Sequence, residues 1–111
     1  MKRGEIWTVA GAPGYSTKPR PVVIIQDDRF DATLSVTVCG FTTDSYEAPW
    51  FRLPVAPTEL NGLRALSMLM ADKVSTVPRT KLGSLIGRLD KDDLIRLNRS
   101  IIVFLNLLET R

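Results

Sequence analysis

Only the last part of this chain repeats its apolar residues with helical spacing. Asp90 reads as an N-cap with Asp93 three residues on, and Leu94, Leu97, Ile101, Leu105 and Leu108 then recur at 3.6-type intervals. The pattern predicts an amphipathic helix of about four or five turns. Its polar side carries Asp92 and Arg96 at i,i+4 in the favourable order, which supports a solvated face. Everything before Asp90 is cut into strand-length pieces by proline, glycine and polar turns. GEIWTV (4–9) is rich in strand formers, and the AGAPGYSTKP that follows is a loop. PVVIIQ (21–26) is a continuous β-branched run that fits a strand buried on both faces. LSVTVCGF (34–41) and WFRLPV (50–55) read as the next two strands, with Pro54 pushing the second towards a sheet edge. After a turn at Glu59-Leu-Asn-Gly62, ALSMLMADKVSTV (65–77) is either one long bent strand or two short ones, ended by Pro78. Thr80 to Gly83 form a short helical turn at most, and SLIGRL (84–89) is the last short strand.

Five to seven short strands followed by one helix predict a mainly β fold: a small, strongly bent antiparallel sheet or barrel with the C-terminal α-helix packed on it. At 111 residues, 44% of them hydrophobic and 24% charged, the expectation is one globular domain over 1–111. Ile102, Phe104 and Leu107 widen the apolar face of the helix beyond what one small sheet covers, so a homodimer is expected.

The absent residue types exclude whole classes of chemistry. With no histidine and the single cysteine Cys39, histidine/cysteine zinc sites, Ser-His-Asp and Cys-His nucleophile systems and a paired-histidine ribonuclease site are all ruled out. An internal disulfide is impossible as well. Cys39, in an apolar strand, is expected to be a small buried hydrophobe. The net charge of +3, from 15 Lys and Arg against 12 Asp and Glu, hardly moves between about pH 5 and 8 and permits a nucleic-acid partner without demanding one. MKRGEIWTV has a basic opening and no apolar segment behind it, so no signal peptide is read there. No apolar run approaches the ~18 residues of a membrane span. The expected location is cytoplasmic, with no membrane partner.

Four stretches could carry chemistry. In KPRPVVIIQDD (18–28), Arg20 lies between Pro19 and Pro21 at the mouth of a strand. A following proline drives a residue into extended backbone, and proline's own φ is fixed, so the arginine's backbone is largely ordered before anything binds. Guanidinium is a planar, permanently charged fork that matches phosphate oxygens. Arg20 is thus either a phosphate clamp or a solvated loop charge whose prolines shape a turn. Thr42-Thr43-Asp44-Ser45, just past the third strand, either offers hydroxyls to a phosphate or bonds its own backbone as a turn. Asp27, Asp28 and Asp31 form either a Mg²⁺ cluster or an acidic turn; the turn is preferred and no metal site is assigned. Trp50 and Phe51 beside Arg52 are either a base-stacking platform or core, and alternation would bury one of the two. Lys73, polar in an apolar stretch, marks a solvent-facing position on a sheet face that could bind a ligand.

Taken in order, KRGEIW, RPVVIIQDD, VCGFTT, APWFRLPV, NGLRALSMLMADKVSTVPRTKLG and GRLD ahead of a terminal helix resemble the MazF/PemK (Kid) family of toxins from bacterial type II toxin–antitoxin pairs. The match in order and spacing runs almost end to end. The resemblance implies an SH3-like barrel, a homodimer, no cofactor, and a metal-independent endoribonuclease that cuts single-stranded RNA. It also implies a cognate acidic antitoxin as partner. Carried over residue by residue, the catalytic pair falls on Arg20 and Thr42, and an RNA-contacting polar residue of the later strand on Lys73. Lys18 and Thr43, which flank the catalytic pair, inherit a weaker RNA-binding role. AGAPGYSTK departs from many relatives in having no acid in the first loop. The alternative within the same barrel is a CcdB-like gyrase poison without nuclease activity, and it fits less well because this chain ends Leu-Leu-Glu-Thr-Arg without a tryptophan.

Overall fold

A computed structural model of the chain describes residues 1–12, 17–44 and 47–109. Six strands, β1 (Glu5–Val9), β2 (Arg20–Ile24), β3 (Ser35–Thr42), β4 (Arg52–Val55), β5 (Ser67–Pro78) and β6 (Leu82–Arg88), are followed by helix α1 (Lys91–Leu105). They form one sheet in the order β4-β5-β3-β2-β1-β6, every neighbouring pair antiparallel. The expected mainly β architecture with a terminal helix is therefore present. β4 lies at one edge, where the lost N–H of Pro54 is tolerated.

Burial on both faces of the central strands explains their continuous apolar composition. From β2, Val23 joins a core with Ile6, Cys39, Phe41, Leu53, Leu69 and Leu97 of the helix. Val22 and Ile24 point the other way, into a second core with Val9, Ala12, Val36, Val38 and Val77. Alternation along β2 and β3 thus feeds two cores from one sheet.

The 65–77 segment is one strand, not two, but it changes register part-way. Cys39 pairs with Val74, and Phe41 pairs with Leu69. Two steps along β3 therefore correspond to five along β5, and the extra residues make a bulge that bends the sheet. The bend and the segment after β4 bring the two sheet edges together. Leu60 O accepts from Arg88 N at 2.9 Å, and Gly62, at φ +68°, lies so close that a Cβ there would sit 2.0 Å from Ile86 O. Only glycine serves at that position.

The helix begins as the sequence predicts, with Asp90 accepting from Asp93 N at 2.8 Å. Its end differs. Asn106 adopts left-handed φ 56° and its N–H closes on the carbonyls of Ile102 and Val103, so the helix stops at Leu105. Leu108, counted in the periodic pattern, lies beyond it and is exposed. The polar face also differs: Arg96 pairs with Asp93 at 2.7 Å, one turn back at i,i+3, rather than with Asp92.

Candidate active site

The site is assembled where β2 starts and β3 ends. Val22 pairs with Gly40, and continuing this antiparallel register by two residues sets Arg20 across from Thr42. On its other side Arg20 pairs with Val9 of β1, and on the far side of β3 Thr42 pairs with Met68 of β5. The pairing itself stops at Val22 and Gly40, so what strand pairing establishes is that the start of β2 lies beside the end of β3, positions far apart in the chain.

Their environments differ. Arg20 is exposed, and among the described residues its guanidinium has no hydrogen-bond or ion-pair partner. Thr42 is half-buried, and its Oγ1 accepts from Asp44 N at 3.1 Å. That turn fixes the hydroxyl and leaves its proton available to a ligand oxygen. The self-bonding reading of the turn and the donor reading are thus compatible. Ser45, the last member of that candidate stretch, lies outside the described residues, as do residues 13–16 of the first loop.

A cavity of about 570 Å³ opens beside Arg20. It is lined by Lys18, Arg20 and Arg64 as cations, by Thr8, Thr43 and Ser67 as hydroxyls, and by an apolar wall that includes Pro19, Pro21, Leu63 and Ile86. No carboxylate is among its described lining residues, so the cavity is basic. Lys18 and Thr43, singled out in the sequence, are in it; Arg64 and Ser67 were not foreseen. Their only signal was the Asn-Gly turn ahead of them, which reads as a hairpin corner rather than as one wall of a site.

Lys73 is exposed, as expected, but does not line this cavity. It sits in the β5 bulge near Gly40, next to Asp72. Asp72 is held by Arg52 through two hydrogen bonds of 2.7 and 3.0 Å, and both side chains are mostly buried. Hydrogen bonding to Arg52 holds the Asp72 carboxyl below its ordinary range, against the opposing effect of burial. Lys73 adds a smaller Coulombic pull in the same direction.

Most of the remaining candidates have structural partners. Asp27 caps the short 3₁₀ turn at Asp28–Phe30 and binds Arg29, whose hydrogen bonds lower its pKa. Asp28 accepts from Arg3 N, and Asp31 lies 3.7 Å from Lys2. Among the described residues no group of three or more His, Cys, Asp or Glu is gathered as a metal-ligand set. Cys39 is fully buried, and desolvation, reinforced by the nearby Asp72 charge, pushes its thiol up to about 12. It is a core residue and not a nucleophile. Of the two aromatics, Phe51 turns inward, its ring 5.3 Å from that of Phe104, while Trp50 stays exposed.

A bent six-stranded antiparallel sheet closed by one C-terminal helix is the fold of a class of small toxin domains. A sequence model of the PemK-like, MazF-like toxins of type II toxin–antitoxin systems matches residues 2–105. The chain belongs to this family. It is 52% identical over 107 residues to a probable endoribonuclease MazF of Mycolicibacterium smegmatis, covering 96% of this chain and 98% of the relative. Mycobacterium tuberculosis toxin MazF-mt6 superposes with a TM-score of 0.77 at 26% identity, covering 92% of this chain and 96% of that one. A mycobacterial endoribonuclease solved in complex with its cognate antitoxin shares the fold, with a TM-score of 0.81 at 21% identity over 99% of both chains. The chain is therefore a homologue of MazF endoribonucleases. No helix among the described residues is long and apolar enough to cross a membrane.

Proposed function

We propose that this chain is a cytoplasmic, metal-independent endoribonuclease toxin that cuts single-stranded RNA with Arg20 and Thr42. The observation that carries the reading is Arg20: a guanidinium with no protein partner among the described residues, held between two prolines at a basic cavity, at the start of the strand whose neighbour ends in Thr42. An unneutralised charge in a fixed place is suited to an anionic ligand that arrives from outside.

The reaction uses the RNA's own 2′-OH as nucleophile. It attacks the adjacent phosphorus and loses its proton, the P–O5′ bond breaks, and the departing oxygen takes up a proton. The products are a 2′,3′-cyclic phosphate and a 5′-OH end. Arg20 stabilises charge on the phosphoryl oxygens, and Thr42 donates a further hydrogen bond to them. Lys18 and Thr43, which line the cavity beside Arg20, hold the neighbouring strand. Lys73 contacts RNA further along the sheet. Arginine titrates too high to shuttle protons near neutrality, so alignment and charge stabilisation carry most of the rate.

The partners follow from the same surface. A basic cavity built for phosphates also attracts carboxylates, so an acidic cognate antitoxin covers Arg20 and Lys73. A second copy of the chain covers the end of α1, where Val103, Phe104, Leu105 and Leu107 are exposed. One toxin domain over 1–111 carries all of this.

The test is digestion of labelled single-stranded RNA in excess EDTA, beside a gyrase supercoiling assay on the same preparation. Cleavage leaving 5′-OH ends and persisting in EDTA supports the reading. EDTA-sensitive cleavage overturns the mechanism, and gyrase inhibition without RNA cleavage gives the case to the gyrase-poison alternative.

A further inference from the structure

We propose that Arg64 is an RNA-binding residue that holds a phosphate neighbouring the scissile one, so that one nucleotide is seated between it and Arg20. The inference rests on the ribonuclease reading of the cavity and adds a residue that this reading does not use.

Arg64 lines the same cavity as Arg20 but comes from the opposite side of the sequence, on the segment joining β4 to β5. The structure immediately before it is unusually well tied. Asn61 is buried, and its Oδ1 accepts from Thr58 N at 2.9 Å and Leu63 N at 3.0 Å. Its Nδ2 donates to Ala56 O at 2.9 Å, and its own N–H is taken by Thr58 Oγ1 at 3.0 Å. Gly62 lies directly on the β6 backbone, and a Cβ at Gly87 would meet Asn61 at 2.4 Å. Both side-chain polar atoms of the buried asparagine and its backbone N–H are thereby used in fixing the turn. Ser67, after Arg64, anchors the other end by donating to Ala65 O at 3.0 Å.

The cavity is thus flanked by two arginines whose backbones are ordered by different means. Proline neighbours order Arg20, and a buried asparagine turn orders the segment that presents Arg64. Neither has an ion-pair partner among the described residues. The same cavity has an apolar wall that includes Pro19, Pro21, Leu63 and Ile86. A volume of about 570 Å³ is in the range that takes a small ligand, and a lining that combines cations with apolar side chains matches a nucleotide, whose base is flat and apolar and whose flanking phosphates are anionic. Arg64 is exposed, which suits the phosphate rather than the base.

The experiment is fluorescence-anisotropy titration of a labelled, randomised-sequence 2′-O-methyl oligoribonucleotide, whose blocked 2′-oxygen cannot attack, at several salt concentrations. Arg64→Ala is expected to weaken binding about tenfold, the loss of one charge-assisted contact. The slope of log affinity against log salt should become shallower by ~0.7, as for one single-strand phosphate contact. Arg64→Lys should restore the slope and most of the affinity, because charge alone satisfies a phosphate. Circular dichroism of each variant, with Arg64→Gln as a second neutral change, separates folding from binding. Wild-type affinity and slope in folded Arg64→Ala or Arg64→Gln overturns the inference, as does failure of Arg64→Lys to recover the slope. Cleavage of unmodified RNA by the same preparations keeps the two ideas apart. Wild-type protein that binds the probe with the expected Arg64 dependence but cuts no RNA sinks the ribonuclease reading alone. Wild-type protein that cuts RNA while the Arg64 variants bind normally sinks only this one.

Discussion

Arg20 and Arg52 each open a strand of the same sheet, and the protein treats them in opposite ways. Arg52 is fixed by its side chain, which is 12% exposed and meets the 16% exposed side chain of Asp72 in a two-bonded ion pair. Arg20 is fixed by its backbone, through the prolines on either side, and its guanidinium is left exposed. An arginine can therefore be ordered in two ways. Neutralising it with a carboxylate orders the side chain but uses up the charge, whereas restricting φ and ψ places the residue and leaves the charge for a ligand. The first device suits stability and the second suits function.

The contrast is broken most directly by exchanging the consequences. Arg20→Ala should reduce RNA cleavage by at least ~10²–10³, the usual cost of removing a preorganised transition-state donor, while stability changes by no more than ~0.5 kcal/mol. Arg20→Lys should recover little, since an ammonium cannot reproduce the planar fork. Single-turnover cleavage and urea denaturation on the same samples check both halves. A large stability loss with Arg20→Ala would show that its charge has a structural partner after all.

Arg52→Ala should behave in the reverse sense. It leaves Asp72 mostly buried without its donor, which costs about 2–3 kcal/mol of folding stability. Cleavage per folded molecule should fall far less than in Arg20→Ala. If instead Arg52→Ala unfolds nothing and abolishes cleavage, Arg52 belongs to the site and the division between the two arginines fails.

How much of this was legible in the chain follows from the range of the interactions involved. The strands on either side of Arg20 were readable because β-branched runs and prolines act locally, and so were the Asp90 cap and the edge position of β4. The end of α1 was less so: the spacing of Leu105 and Leu108 continues smoothly past Asn106, and only the left-handed backbone there stops the helix. Asp92 and Asp93 both lie within reach of Arg96, and one residue of spacing does not decide between them. The β5 bulge and the closure of Gly62 and Gly87 against their neighbours depend on partners remote in sequence. Arg64 was missed for the same reason. A single arginine after an Asn-Gly turn looks like a solvated corner until β6 is known to lie beneath it. That the start of β2 lies beside the end of β3 is likewise a matter of strand pairing; the choice of Arg20 and Thr42 there came from the family resemblance.

Thr42 gives a smaller test of the rim. It is tied to Asp44 N through the same oxygen that would donate to the phosphate. Thr42→Ala should cost about tenfold in cleavage, the worth of one neutral hydrogen bond made in the transition state. Thr42→Ser retains the hydroxyl and should stay within about threefold of wild type. Equal loss in both variants, seen in the same cleavage assay, would assign the effect to the methyl group's packing instead.

The smallest effect is read from pH. Arg52 holds the folded-state pKa of Asp72 below its ordinary value, so the ionised carboxylate binds more strongly in the native protein than in the unfolded chain. Its stabilising contribution is then fully present above the unfolded carboxylate range, near pH 4, and is lost as pH falls through the lower folded value. Between about pH 5 and 8 it is flat. Asp27, lowered by Arg29, titrates in the same direction, so the acid loss of the wild type is not due to Asp72 alone. The informative quantity is the difference between wild type and Asp72→Asn in urea denaturation, which should be constant near neutrality and shrink below about pH 4. Arg20→Ala should follow the wild-type curve through the same window, because its charge is committed to no carboxylate among the described residues. A wild-type minus Asp72→Asn difference that stayed constant down to pH 2 would remove the electrostatic basis for separating the two arginines.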